Sequence, residues 1–205
     1  MMFLSYYAPV GRVLKRDAKQ SLKDGCVLYY SGNLTEEKGY FRVLSVAKKV
    51  AAERPSIPFE LKVISSETET EVNDLLPNLK VSYSRWMPFP DFCHSVSTGD
   101  VFFDLRDNDF ENTHCLPIKL FYYMSAGRPM VYSDLKAIRK GVPEFAVECL
   151  VDPMDENEIV NTVLRYVDNP EIYRMHCQNN LNLSSLKYNW ENIEGDFLKF
   201  IHDGF

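Results

Sequence analysis

The sequence predicts an α/β fold: a doubly wound, Rossmann-like parallel sheet with helices gathered at the C-terminal end of the chain. Three observations predict it. β-rich apolar runs alternate with stretches of helical apolar spacing, a glycine-bearing loop follows the first run, and everything from Asp155 onward reads as helices in succession.

Residues 1–24 end in the polar stretch KRDAKQSLKD and read as a linker or a segment returning from another domain, which leaves 25–205 as the domain itself. A first strand is expected over 26–31, closed by Gly32. After the polar loop 33–39, Val43, Leu44, Val46, Ala47 and Val50 mark an amphipathic helix over 40–52. A second strand follows over 59–64, a short helix over 69–76, a third strand over 81–83, a helix over 90–97 and a fourth strand over 101–105. Residues 106–113 read as a polar loop. Pro117 then opens a helix, with Ile118, Phe121, Met124 and Ala126 at helical spacing and Gly127 as its stop; a buried strand follows over 130–132. A short helix over 135–140, an edge strand over 148–151 and helices over 155–167, 170–186 and 190–201 complete the pattern.

With 45% hydrophobic residues in 205, the chain has ample material for a core. A net charge of −6 disfavours a nucleic-acid backbone as the main partner and leaves at most peripheral contact with a membrane. Five cysteines, an odd number without a CxxC pair, point to free thiols in a reducing, cytoplasmic setting rather than to disulfides or a zinc site. The opening MMFLSYYAPVGRVLKR lacks the order of a secretory signal, and no apolar run is long enough to span a bilayer.

Ligands of such sheets bind outside the carboxyl ends of the strands, which singles out the loops 32–39 and 108–119. A helix that starts at Pro117 turns the N–H groups of Ile118, Lys119 and Leu120 outward, and with the positive end of its dipole and the Lys119 ammonium it suits a phosphate. Lys38 stands beside the start of the helix over 40–52, so a second cation lies at the first of these loops. There is no GxGxxG, and 32–38 lacks the GK[ST] ending of a P-loop, so nicotinamide and ATP sites are disfavoured. Tyr83, Arg85 and Trp86 supply planar groups on which a base can stack. Asp104, Asp107, Asp109 and Glu111 form an acidic stretch suited to sugar hydroxyls or a metal, and read here as a solvated loop or an acceptor-side rim. The four histidines are dispersed, with nothing to set a base beside a nucleophile.

Two of these stretches resemble the group 1 (family 4) glycosyltransferases. Pro117, Lys119, Leu120, Phe121, Met124, Ala126, Gly127, Arg128, Pro129 and Val131 fit one family signature; Gly32, Leu34, Glu37, Lys38 and Gly39 fit another. The resemblance implies the C-terminal, donor-binding half of a GT-B enzyme that transfers a sugar, with retention, from a nucleotide-diphosphate sugar. The acceptor it implies is a sugar or glycan such as a polysaccharide or lipid-linked oligosaccharide. It implies no metal and no cofactor beyond the donor, with Lys38 and Lys119 on the diphosphate, Gly32 and Gly39 admitting the backbone to it, and Leu116, Ile118 and Leu120 lining the site. Asn33 stands where the family has arginine. His114 and Tyr122 replace its two glutamates, so that His114 takes the catalytic position beside the donor sugar and Tyr122 the position at the ribose. The family's N-terminal, acceptor-binding domain would have to be supplied in cis or in trans. The alternative is a non-catalytic interaction module with a degenerate donor site; a receiver-like domain would want an acidic group where the first strand ends, and Ser31 stands there.

Overall fold

Apolar residues on both faces of successive strands build a sheet that must be covered on both sides. In the computed structural model, which describes residues 17–67, 72 and 74–203, β1 (Cys26–Ser31) lies at the centre between β2 (Phe59–Ser65) and β4 (Val101–Asp104). β3 (Leu79–Arg85) forms one edge, and β5 (Met130–Ser133) leads to β6 (Leu150–Val151) at the other. All neighbours run parallel in the order β3-β2-β1-β4-β5-β6. The predicted Rossmann-like α/β fold is what the chain adopts. The order reverses between β1 and β4, so the crevice beyond their carboxyl ends is the ligand position of a doubly wound sheet. All four residues of β4 and all four of β5 are buried, as helix-covered parallel strands require.

The covering helices are α1 (Tyr40–Glu53), α2 (Phe89–Val96), α3 (Phe110–His114), α4 (Lys119–Ser125), α5 (Lys136–Gly141), α6 (Glu156–Asp168), α7 (Pro170–Leu186) and α8 (Trp190–Asp203). Differences from the sequence reading are local. α3 interrupts the expected polar loop because Asp109 caps it, its carboxylate accepting the Asn112 N–H at 2.7 Å. α4 starts two residues after Pro117 and ends as expected before Gly127, whose φ is +63°. Only 150–151 of the expected edge strand pair with β5; 147–149 form a 3-10 turn. Half of the helix expected over 69–76 lies outside the described residues, and 72 and 74–76 are not helical.

Of the segment read as a linker, 1–16 lie outside the described residues, whereas 17–24 are docked on the domain. Leu22 is fully buried, and Lys19 donates to Asp100 at 2.6 Å and to the Gly25 carbonyl at 2.9 Å.

At the far edge of the sheet a buried polar cluster joins Cys149, Tyr166 and His176. The Tyr166 hydroxyl is 2.9 Å from His176 Nδ1 and 3.1 Å from Cys149 Sγ. Burial holds the His176 pKa below its ordinary value, so the unfolded chain binds a proton that the folded chain refuses. Stability should therefore be full at pH 7.5 and fall as the pH drops from about 6.5, the ordinary histidine value, toward the lower folded one. Urea unfolding at pH 7.5 and 5.5 on the parent and His176→Gln checks this. The parent should lose more stability than the variant over that range, and equal losses would count against a neutral buried imidazole.

Candidate functional site

The loop after β1 is tied down from below. The Tyr30 hydroxyl donates to the Asn33 carbonyl at 2.6 Å and approaches the Lys38 carbonyl at 3.3 Å, so one buried side chain pins both ends of the polar turn. Glycines make the fit possible. A Cβ on Gly32 would lie 2.9 Å from the Tyr30 oxygen. One on Gly39, where φ is +78°, would lie 2.0 Å from the Leu105 carbonyl oxygen, so the loop presses directly on the chain leaving β4. Gly39→Ala should cost at least about 2 kcal/mol through positive-φ strain and overpacking. A chemical-denaturation midpoint unchanged by the substitution would contradict this packing.

Beyond β4 the chain delivers the charged centre. Asp104 is 1% exposed, and its carboxylate accepts from Arg106 Nε at 2.9 and 3.1 Å. Lys119, on the first residue of α4, sets its ammonium 3.2 Å from Asp104 Oδ1 and donates to the Ser31 carbonyl at 2.7 Å. That ammonium is 5.6 Å from the centre of the Tyr30 ring, and the space a Gly32 Cβ would fill is 3.5 Å from it. Lys119 thus spans from β4 to the end of β1, across the point where the strand order reverses.

Burial lowers the Lys119 pKa, Asp104 raises it, and the charges of Arg106 and Lys38 lower it further; the net direction is down. For Arg106 burial also opposes the charge, but the Asp104 carboxylate outweighs it and the net direction is up. Lys119 thus feels the charges of both Arg106 and Lys38, and the carboxylates that hold these cations are Asp104 and, on Lys38, Glu37 at 2.6 Å. Arg106 is engaged with Asp104 through Nε alone, which leaves the Nη end of its guanidinium without a hydrogen-bond partner among the described residues. Sequence reasoning missed this arginine because it sits in a stretch read for its acids.

Other site candidates fall in different places. Asn33 is exposed on the loop. Leu116 is half-buried against Gly141, and Ile118 is exposed. The N–H of Leu120 is spent on the Pro117 carbonyl at 3.2 Å and its side chain is in the core, so it does not offer the free donor expected of it. His114 is exposed, its Nδ1 2.7 Å from the Phe110 carbonyl and its ring 4.6 Å from the Phe110 ring. Tyr122 packs its ring edgewise on Phe89 and Phe92 at 5.4 and 5.9 Å, which ties α4 to α2. Tyr83 is bonded to Tyr40 through the two hydroxyls, while Arg85 and Trp86 stand exposed where edge strand β3 ends.

The acidic stretch divides: Asp109 and Glu111 are exposed as a solvated loop requires, whereas the rest is engaged by the fold. Asp104 is buried and Asp107 pairs with Arg42; Asp109, though exposed, caps α3. Among the described residues no three His, Cys, Asp or Glu side chains are grouped to hold a metal ion, and no helix is long and apolar enough to cross a membrane.

No family model matches the sequence, and no curated protein matches it. Solved structures do. Sucrose-phosphate synthase from Thermosynechococcus elongatus superposes with a TM-score of 0.64 at 17% identity, over 98% of this chain and 51% of that one. The fold is that of one half of a GT-B glycosyltransferase. An α,α-trehalose-6-phosphate synthase from Burkholderia multivorans gives 0.62 at 11% identity, over 89% of this chain and 43% of that one. An E. coli trehalose-6-phosphate structure bound with UDP-2-fluoro glucose gives 0.60 at 12%, over 87% and 44%. At these identities the likeness concerns the fold, and the GT-B half described here spans about half the length of those chains.

Proposed function

We propose that this domain binds the nucleotide-diphosphate sugar donor of a glycosyltransferase, as the C-terminal half of a GT-B enzyme. The observation that carries the reading is the pair of Lys119 and Arg106 at the strand-order reversal, held from beneath by the buried carboxylate of Asp104, with Lys38 close enough for its charge to act on Lys119. Charge-assisted hydrogen bonds from Lys and Arg are the strong means of holding a phosphate, and fixed donors at a leaving diphosphate favour its departure without reorganising. Asn33 lacks the charge that the family resemblance places there. Arg106, two residues past the end of β4, supplies one instead, its Nη end free to take a second oxyanion. The glycines at 32 and 39 leave room for the loop's own backbone to approach the diphosphate.

Transfer needs a second domain to enclose the reacting centre. Two facts support such a partner, in cis or in trans. The chain spans about half of the similar structures, and α8 presents Leu198, Phe200 and Ile201 at 51%, 50% and 43% exposure. A non-catalytic interaction module with a degenerate donor site is the second reading, favoured by Tyr122 being committed to Phe89 and Phe92 and by an uncharged Asn33.

Thermal-shift titration with UDP, GDP, UDP-glucose and GDP-mannose tests the proposal. One nucleotide should stabilise the fold by about 2.7 kcal/mol at a hundredfold excess over its Kd. Failure of all four at millimolar concentration, repeated with the partner domain present, would overturn it.

A further inference from the structure

A second concave surface lies away from the cationic centre, between α7 and the segment 144–148, with a cavity volume of about 730 Å³. Its polar wall is His176, Asn179, Asn180, Asn182 and Glu148. The proton positions follow from the cluster described above. Burial keeps the Cys149 thiol protonated, its pKa pushed up to about 11, and raises that of the Tyr166 hydroxyl. The thiol then donates to the tyrosine oxygen and the hydroxyl to His176 Nδ1. Neutral His176 is left with its proton on Nε2, which makes no hydrogen bond to the described residues, on a side chain that lines the cavity.

The asparagines are half spent in a complementary way. Asn180, also 3% exposed, donates Nδ2 to the Arg128 carbonyl at 2.8 Å and keeps Oδ1 as an acceptor. Asn182 accepts from Gln178 at 2.8 Å through Oδ1 and keeps its amide donors. The one cation of the wall, Lys187, is paired with Glu144, which also accepts from Tyr188; no free positive charge is left for an anion. Met175 and Leu186, both exposed, add an apolar border.

Unspent neutral donors and acceptors side by side, with a carboxylate acceptor and an apolar border, match groups that donate and accept at once on a C–H framework. We infer that this groove binds a saccharide through its ring hydroxyls, at a site separate from the cationic centre.

The test uses the full chain against a glycan array, followed by calorimetry with the neutral oligosaccharide that is retained. A neutral oligosaccharide should bind, and Asn179→Ala with Asn182→Ala should weaken it about tenfold, the loss of one hydrogen bond or two. These two positions are exposed, so the fold should survive the change, which circular dichroism verifies. His176→Phe should weaken the same sugar while Lys119→Met leaves it unchanged. No retained oligosaccharide, equal binding by the Asn179/Asn182 variant, loss with Lys119→Met, or occupation by spermidine or inorganic phosphate instead would each overturn the inference.

Discussion

Asp104→Asn is expected to lower the stability of the folded domain by about 3–5 kcal/mol, the range for breaking a buried ion pair by removing one partner. The carboxylate is 1% exposed and faces two cations, Arg106 and Lys119, whose side chains are 15% and 16% exposed. Neutralising it leaves both cations desolvated without compensation, and Asn offers one acceptor where the carboxylate offers two. Urea unfolding would show the midpoint falling with little change in slope. Adding Lys119→Met to Asp104→Leu should recover part of the loss, because the uncompensated charge leaves with its partner. A loss below about 1 kcal/mol for Asp104→Asn would mean that water reaches the pair and that the site is less rigid than described.

Nucleotide affinity should respond most to the two cations that Asp104 supports. Lys119→Met and Arg106→Ala should each weaken binding of a nucleoside diphosphate by about 10- to 150-fold, the equivalent of a charge-assisted hydrogen bond of about 1.5–3 kcal/mol. Lys38→Ala should cost less, because Lys38 is more exposed at 28% and its ammonium is already on Glu37. Calorimetric titration of the three variants gives the ranking. Lys38 dominating, with Arg106 indifferent, would return the site to the loop after β1 and remove the role assigned to Arg106.

Most of the sheet was legible because β1, β4 and β5 are continuous apolar runs, and α1 and α6 because each carries a clear apolar stripe. β1 and α7 have the bounds the sequence suggests, and α1, β2 and α6 differ by a residue or so. Short elements were not legible. α3 depends on one capping contact from Asp109, and the edge strand β6 depends on pairing with β5, which periodicity does not report. At the site, Lys119 and the two loop glycines could be found from local signals: a lysine at a helix start, and glycines around a strand-to-helix turn. Arg106 could not be found that way. Its importance comes from Asp104 and Lys119 meeting it across the strand-order reversal, a tertiary fact. The same holds for the His176 groove, where Cys149, Tyr166 and His176 are well separated in sequence and close only after folding.

The most direct test of the central claim, that the cationic centre holds a diphosphate, is to compare uridine or guanosine with its diphosphate by calorimetry on the same protein. The diphosphate should bind far more tightly than the bare nucleoside, and the difference should collapse in Lys119→Met and shrink with added salt. Equal binding of nucleoside and diphosphate, or a difference that survives Lys119→Met and Arg106→Ala together, would contradict the account.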